Sequence, residues 1–512
     1  MPSKILSAAL VGLESKIVEV EVDISSGLPN FIIVGLPDIA VQEARVRVRS
    51  AIKNSGRPFP YTRVAVNLAP CDLKKEGPSY DLPIALGIFL AHESIESEIP
   101  LDSSIFVGEL SLDGHLRRIN GVLSIVMMAK QNGIKNIFLP AENAPEASII
   151  SDINIFPLKT FNQLVKFLNN EESIIPLKPN PTHFEIEEDQ DETFSLVKGQ
   201  EYAKRALEIV AAGGHNLFMV GPPGTGKTFL ARSIISILPS LGTSEMLEVT
   251  RIYSVAGMTT AKKPLIQNRP FRNPHHSSSA AALIGGGRFP KPGEISLSHR
   301  GVLFLDELPE FPRAVLESLR QPLEDGVVTV ARVSSSIQFP ARFILITAAN
   351  PCPCGFLSDP KQTCCCTPNQ VLKYQKRISG PLLDRMDLQV EVPRLDFNKL
   401  TQENASQEEI AKIREKIKKA RQIQRARFSK KEILENSEMG HKEISKFCAI
   451  DFEGKMILKK AVEQIPLSAR AYYRVLKVAR TIADLDQEER IKINHLAEAI
   501  QYRIKQMGGL GS

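Results

Sequence analysis

The eight residues Gly221-Pro-Pro-Gly-Thr-Gly-Lys-Thr228 restrict this chain more than any other stretch. They follow a short apolar strand, Asn216–Val220, and precede a helical run, Phe229–Leu238. That is the strand, loop and helix setting in which G-x-x-x-x-G-K-T closes around phosphate. Glycine lets backbone N–H groups surround phosphate oxygens, and the helix N-terminus adds partial positive charge. Gly221, Pro222, Pro223, Gly224, Thr225 and Gly226 would form the cradle. Lys227 would reach the β- and γ-phosphates of ATP, and the Thr228 hydroxyl would bind Mg²⁺. The pattern predicts an α/β core.

A second element agrees with the first. Gly301-Val-Leu-Phe-Leu-Asp-Glu307 reads as a buried strand ending in two carboxylates. Asp306 would hold Mg²⁺, and Glu307 would polarise an attacking water, as hydrolysis requires. A third strand, Phe343–Thr347, leads to Asn350, a polar group placed to sit between γ-phosphate and water. Further on, Arg385 lies in Gly380-Pro-Leu-Leu-Asp-Arg-Met-Asp-Leu388, and Arg470 follows Ser468-Ala at a helix start. Each arginine fits either transition-state charge stabilisation or a surface ion pair.

Five of the seven cysteines fall between Cys352 and Cys366. Cys352-Pro-Cys354, nine residues, then Cys364-Cys-Cys366 gives C-x-C twice. Four thiolates at Cys352, Cys354, Cys364 and Cys366 would close a structural Zn²⁺ site, leaving Cys365 spare. Free thiols are the other reading. The net charge of +6 permits nucleic-acid binding without arguing for it. A basic helix, Ile410–Arg427, reads as a DNA-facing surface or as a solvated face. Val327–Val330 and Ile337–Phe339 predict a hairpin with Arg332 near its tip, where it would meet phosphate. No apolar run is long enough to span a bilayer, and Glu14 and Lys16 interrupt the apolar start, so a cytoplasmic protein without membrane attachment is expected.

Before residue 170 the pattern is mixed. Ile17–Ile24 alternates as a strand, Val41 to Ala51 repeats at helical spacing, Arg63–Leu68 reads as a strand and Asp81–His92 as a helix. Three prolines and the acidic run Glu185–Glu192 mark a linker at 171–194.

These motifs, with Pro70–Ser79, Arg272-Asn-Pro-His-His276, Pro292–Ser296 and Asn350–Gly355, resemble the ComM/YifB family, in the magnesium-chelatase-like branch of AAA+ ATPases. The resemblance implies four segments: a Lon-protease-like α+β domain with a ribosomal-protein-like fold at 1–170, the linker, an AAA+ P-loop core at 195–397 with a Cys-rich insertion at 350–367, and a helical lid at 398–508. It implies a homo-oligomeric ring, a hexamer, with ATP between subunits. Asn350 then resembles sensor 1, Arg385 the arginine finger with Arg377 as its rival, and Arg470 sensor 2. The implied function is a DNA helicase acting on single-stranded or branched DNA, promoting branch migration during recombination of transforming DNA. Two other readings stand beside it: a chelatase-like ATPase that remodels a protein partner, and an ATP-dependent protease. No metal role follows for His275 and His276. The protease reading needs a lysine to activate Ser79. The matching position holds Leu123, and Lys130 lies two helical turns further on.

Overall fold

A computed structural model of the 512-residue chain describes residues 2–93, 99–177, 193–287, 290–331, 336–357, 359–396, 406–428, 433–464 and 468–504. The chain divides into two compact units. One contains Met1–Ile186 with Thr243–Gln267 and a short stretch ending at Ile337; the other holds the remainder.

The first unit is built on a seven-stranded sheet. Its order is Asn30–Val34, Arg63–Ala69, Glu14–Ser25, Ser3–Val11, Ser104–Phe106, Asn136–Pro140 and Asn154–Leu158. Strand side chains alternate between faces, so both faces can carry a core. Ile5, Ala9, Val18, Val20 and Phe138 pack with the helices Ile39–Asn54 and Asp81–His92. Ala8, Ile105, Ile137 and Ile155 pack on the other face with the helix Val122–Gln131. The helix Ile39–Asn54 starts where Asp38 accepts a hydrogen bond from Val41 N at 2.8 Å, a cap that contributes about 1 kcal/mol.

The helix Thr243–Ala256 also belongs to this unit. The chain-order reading places these residues in the ATPase core, because they lie between the P-loop helix and its next strand. Glu146 explains the difference. Its buried carboxylate accepts from Ser254 Oγ, from Thr259 Oγ1 at 3.0 Å, from Arg118 at 3.2 Å and from Leu123 N at 3.3 Å. Arg251 adds hydrogen bonds to Leu13 O at 2.9 Å and Ser124 Oγ at 3.1 Å. The expected linker lies largely outside the described residues.

The second unit carries a five-stranded parallel sheet in the order Phe271–Arg272, Val302–Leu305, Ile344–Ala349, Leu217–Val220 and Leu388–Glu391. Strands buried on both faces read as continuous apolar runs, and Val302–Leu305 is buried throughout. Leu217–Val220 comes first in the chain yet sits between the last two strands. Strand order therefore reverses beside it, and the carboxyl ends there open the crevice where such sheets bind ligands.

Helices Gln407–Arg427, Phe452–Gln464, Ala469–Leu485 and Ile493–Ile504 share the core of this unit; Ile417, Leu458, Val475 and Leu496 pack with Ala206 and Leu217. Ser406 opens the first of these helices with a capping box closed by Glu409. Among the described residues no helix is long and apolar enough to cross a membrane.

Candidate nucleotide and cysteine sites

The P-loop sits at the carboxyl end of Leu217–Val220, and its helix starts at Lys227. Gly224 and Gly226 adopt φ of +75° and +84°, with open space where a Cβ would stand. Left-handed backbone favours glycine. Lys227 is 8 % exposed, and its ammonium donates to Gly221 O at 2.7 Å, Pro222 O at 2.8 Å and Asn350 Oδ1 at 3.2 Å. Burial lowers its pKa from the ordinary lysine value, against the pull of Asp306 and Glu307. Thr228 Oγ1 donates to Asp306 Oδ2 at 2.6 Å. The loop, the acidic strand end and Asn350 thus meet in one place.

Parallel strands bring this about. Leu217–Val220 pairs in register with Ile346–Ala349, so Asn350 and Gly221 follow paired strand ends. Val302–Leu305 pairs with Ile344–Thr347 and carries Asp306 to the same edge. Glu307 departs from the sheet with φ +50°, and its Oε2 lies 3.5 Å from His276 Nδ1. The motifs Arg272–His276 and Pro292–Ser296 mark this stretch in the sequence without indicating that His276 faces Glu307. Arg272 and Glu294 join them by two bonds of 2.6 and 2.7 Å. Beside the loop lies a cavity of about 280 Å³, with Val197, Phe229 and Leu230 among its walls.

The arginines are arranged differently. Arg377 pairs with Glu310 at 2.9 Å. Arg385 and Arg470 both pair with Glu324, Arg470 at 3.2 Å. Arg332 lies outside the described residues, as does the tip of its expected hairpin; the flanking strands Val327–Ala331 and Ser336–Pro340 pair. In the basic helix, Arg414 donates to Ser236 O, Arg421 to Ala211 O and Arg427 to Asp484. Those three arginines hold the fold, leaving Lys412, Lys416, Lys418 and Lys419 exposed.

Cys352, Cys354, Cys364 and Cys366 bring their sulfurs within 4.8 Å of one another. Three of the separations are 3.4, 3.7 and 3.6 Å. A disulfide would hold sulfurs about 2.05 Å apart, whereas four thiolates around zinc, each about 2.3 Å from the metal, stand about 3.8 Å apart. The donors therefore fit a tetrahedral ion, with Cys365 exposed outside the set. The amide of Phe356, with that of Cys365, lowers the Cys354 pKa from its ordinary value. Gly355 seats the cluster on the P-loop: a Cβ there would stand 2.6 Å from Pro223. Gln375 closes the excursion by donating to Pro351 O at 3.0 Å.

In the first unit, Leu123 is buried and its N–H is held by Glu146. Lys130 donates to Ser151 and Asp152 at 3.1 and 2.9 Å, and Ser79 O accepts from Gly108 N. Leu123 carries no basic group, and Lys130 is engaged with Ser151 and Asp152.

Comparison with known proteins matches three family descriptions. They are the magnesium chelatase subunit ChlI over residues 193–400, the subunit ChlI of Mg-chelatase over 20–143, and the ChlI C-terminal region over 407–503. The chain is 44% identical to competence protein ComM of Haemophilus influenzae, over 98% of this chain and 97% of that protein. It is 43% identical to YifB of Escherichia coli, over 97% and 96%. A shorter match, 34% identical over 120 residues, joins 23% of the chain to 20% of Lon protease 2 of Bacillus subtilis.

Proposed function

The chain belongs to the ComM/YifB family of magnesium-chelatase-like AAA+ ATPases, and from that premise we propose that it is a ring-forming motor that couples ATP hydrolysis to movement on single-stranded or branched DNA. The observation that carries the ATP half is the meeting of Lys227, Thr228, Asp306 and Asn350 at the sheet edge. Thr228 and Asp306 are the pair that would hold magnesium, which neutralises phosphate charge when bound. Lys227 exchanges its carbonyl partners for phosphate oxygens. Glu307 accepts the proton of the attacking water, and Asn350 orients that water. Arg385 and Arg470 come from a neighbouring copy in a hexamer and stabilise charge on the transferred phosphoryl group.

The DNA half is supported by the relative named competence protein ComM, similar over nearly the whole chain. A branch-migration role in the recombination of transforming DNA fits that likeness. The first unit, whose sequence resembles the serine region of Lon-type proteases, serves assembly or DNA contact rather than proteolysis, since the position matching the lysine holds Leu123. The four cysteines hold structural zinc against the P-loop. A chelatase-like remodeller of a protein partner is the second reading, favoured by the three ChlI family matches.

The deciding measurement is steady-state ATPase with and without single-stranded or forked DNA. Stimulation that weakens as salt rises is expected, because phosphate contacts release counterions. Turnover indifferent to DNA at low salt would favour the remodeller.

A further inference from the structure

Arg385 and Arg470 stand far apart in the chain, yet they meet at one carboxylate. Glu324 Oε1 accepts a hydrogen bond from Arg385 Nη2 and forms an ion pair with Arg470 Nη1 at 3.2 Å. Arg385 is 6 % exposed, is steered by a 2.6 Å bond from Nη1 to Pro381 O, and leaves its Nε donor without a partner among the described residues. Arg470 is 62 % exposed and rises from the first turn of the helix Ala469–Leu485.

Glu324 itself gains little from its own helix. It lies in the last turn of Arg320–Asp325, where exposed carbonyl ends disfavour a carboxylate. It is 44 % exposed, and an ion pair in that setting adds little to stability. Two guanidinium groups with no shared counter-charge repel, and a carboxylate between them holds them together. Arg377 shows the ordinary alternative, one exposed arginine with one exposed glutamate, Glu310.

We propose that Glu324 is a positioning residue that holds Arg385 and Arg470 as one cationic unit aimed at a single nucleotide of the neighbouring subunit. This rests on reading those two arginines as the groups that reach the nucleotide. It adds a residue that touches neither substrate nor metal and that none of the sequence motifs contains.

Glu324→Gln keeps the side-chain volume and removes the charge. It should bind nucleotide within about twofold of the parent chain yet lose about tenfold or more in kcat, part of the large effect an arginine finger supplies. Rings mixed from Glu307→Gln and Glu324→Gln subunits supply a readout that a merely structural role does not move. Where an intact Glu307 faces an intact arginine pair, turnover should return above the average of the two separate variants. Parent-level kcat in Glu324→Gln overturns the proposal, and so does a mixture that only averages its components. Arg385→Ala, run alongside, separates the two levels. If it turns over normally, the reading of the arginines is wrong; if it is inactive while Glu324→Gln is normal, only the role of Glu324 falls.

Discussion

Glu307 and Lys227 illustrate how different demands settle on single residues. Lys227 is buried among carbonyl oxygens and Asn350 Oδ1, so its ammonium is already desolvated and aimed before nucleotide arrives. That burial favours phosphate binding, because the ammonium has already left water and only exchanges one set of oxygen partners for another. Glu307 is freer: half exposed, turned from the strand by its positive φ and facing His276. Among the described residues it makes no hydrogen bond or ion pair to the P-loop and only attracts Lys227 at longer range, so its charge is not needed to build the cradle. Glu307→Gln should therefore bind nucleotide with parent-like affinity and lose turnover by about 10²-fold or more, the scale of a general base. A fluorescent nucleotide titration beside a phosphate-release assay measures both halves. Parent-like phosphate release would remove Glu307 from the mechanism.

Among the elements, the cysteine excursion between Asn350 and the helix Pro368–Gln375 is the one a bound ion would shape most. It carries little regular structure, and its two ends are tied by Gln375 to Pro351 and by Gly355 against Pro223. Zinc binding free energy would act as folding free energy for such a loop. The purified chain should contain about one zinc per subunit, the stoichiometry of a four-thiolate site. Cys364→Ser should lose the metal and, through Gly355 and Pro223, weaken nucleotide binding. Cys365→Ser should keep both, since that thiol is exposed outside the quartet. Elemental analysis of the three proteins decides the matter; equal zinc in all of them would rule out the assigned ligands.

For the molecule as a whole, chain order and spatial grouping diverge most at one segment. Residues 243–267 follow the P-loop helix in sequence but fold with the first unit, where Glu146 reaches Ser254 across 108 residues. Removing one partner of a buried, multiply bonded charge is costly. Glu146→Ala should destabilise the full chain by about 3 kcal/mol, since Arg118 and Leu123 N lose their acceptor. Urea unfolding of the intact protein tests this, and an unshifted midpoint would make the network incidental. The helix Asp81–His92 and the P-loop strand were legible beforehand, because apolar spacing and glycine placement act over a few residues. The Glu146 network was not, since no local pattern couples a glutamate to a helix a hundred residues away.

The sequence by itself determined the phosphate loop, the acidic strand end and the family, because those features consist of contiguous residues whose backbone geometry is set locally. It also placed five cysteines close enough along the chain that grouping four of them needed no long-range knowledge. Tertiary structure alone decided that Glu324 is shared by Arg385 and Arg470, that His276 faces Glu307, and that three arginines of the basic helix are consumed by the fold. Each depends on side chains brought together by packing between separate elements, and neither charge nor period along the chain records which carboxylate a given arginine will meet.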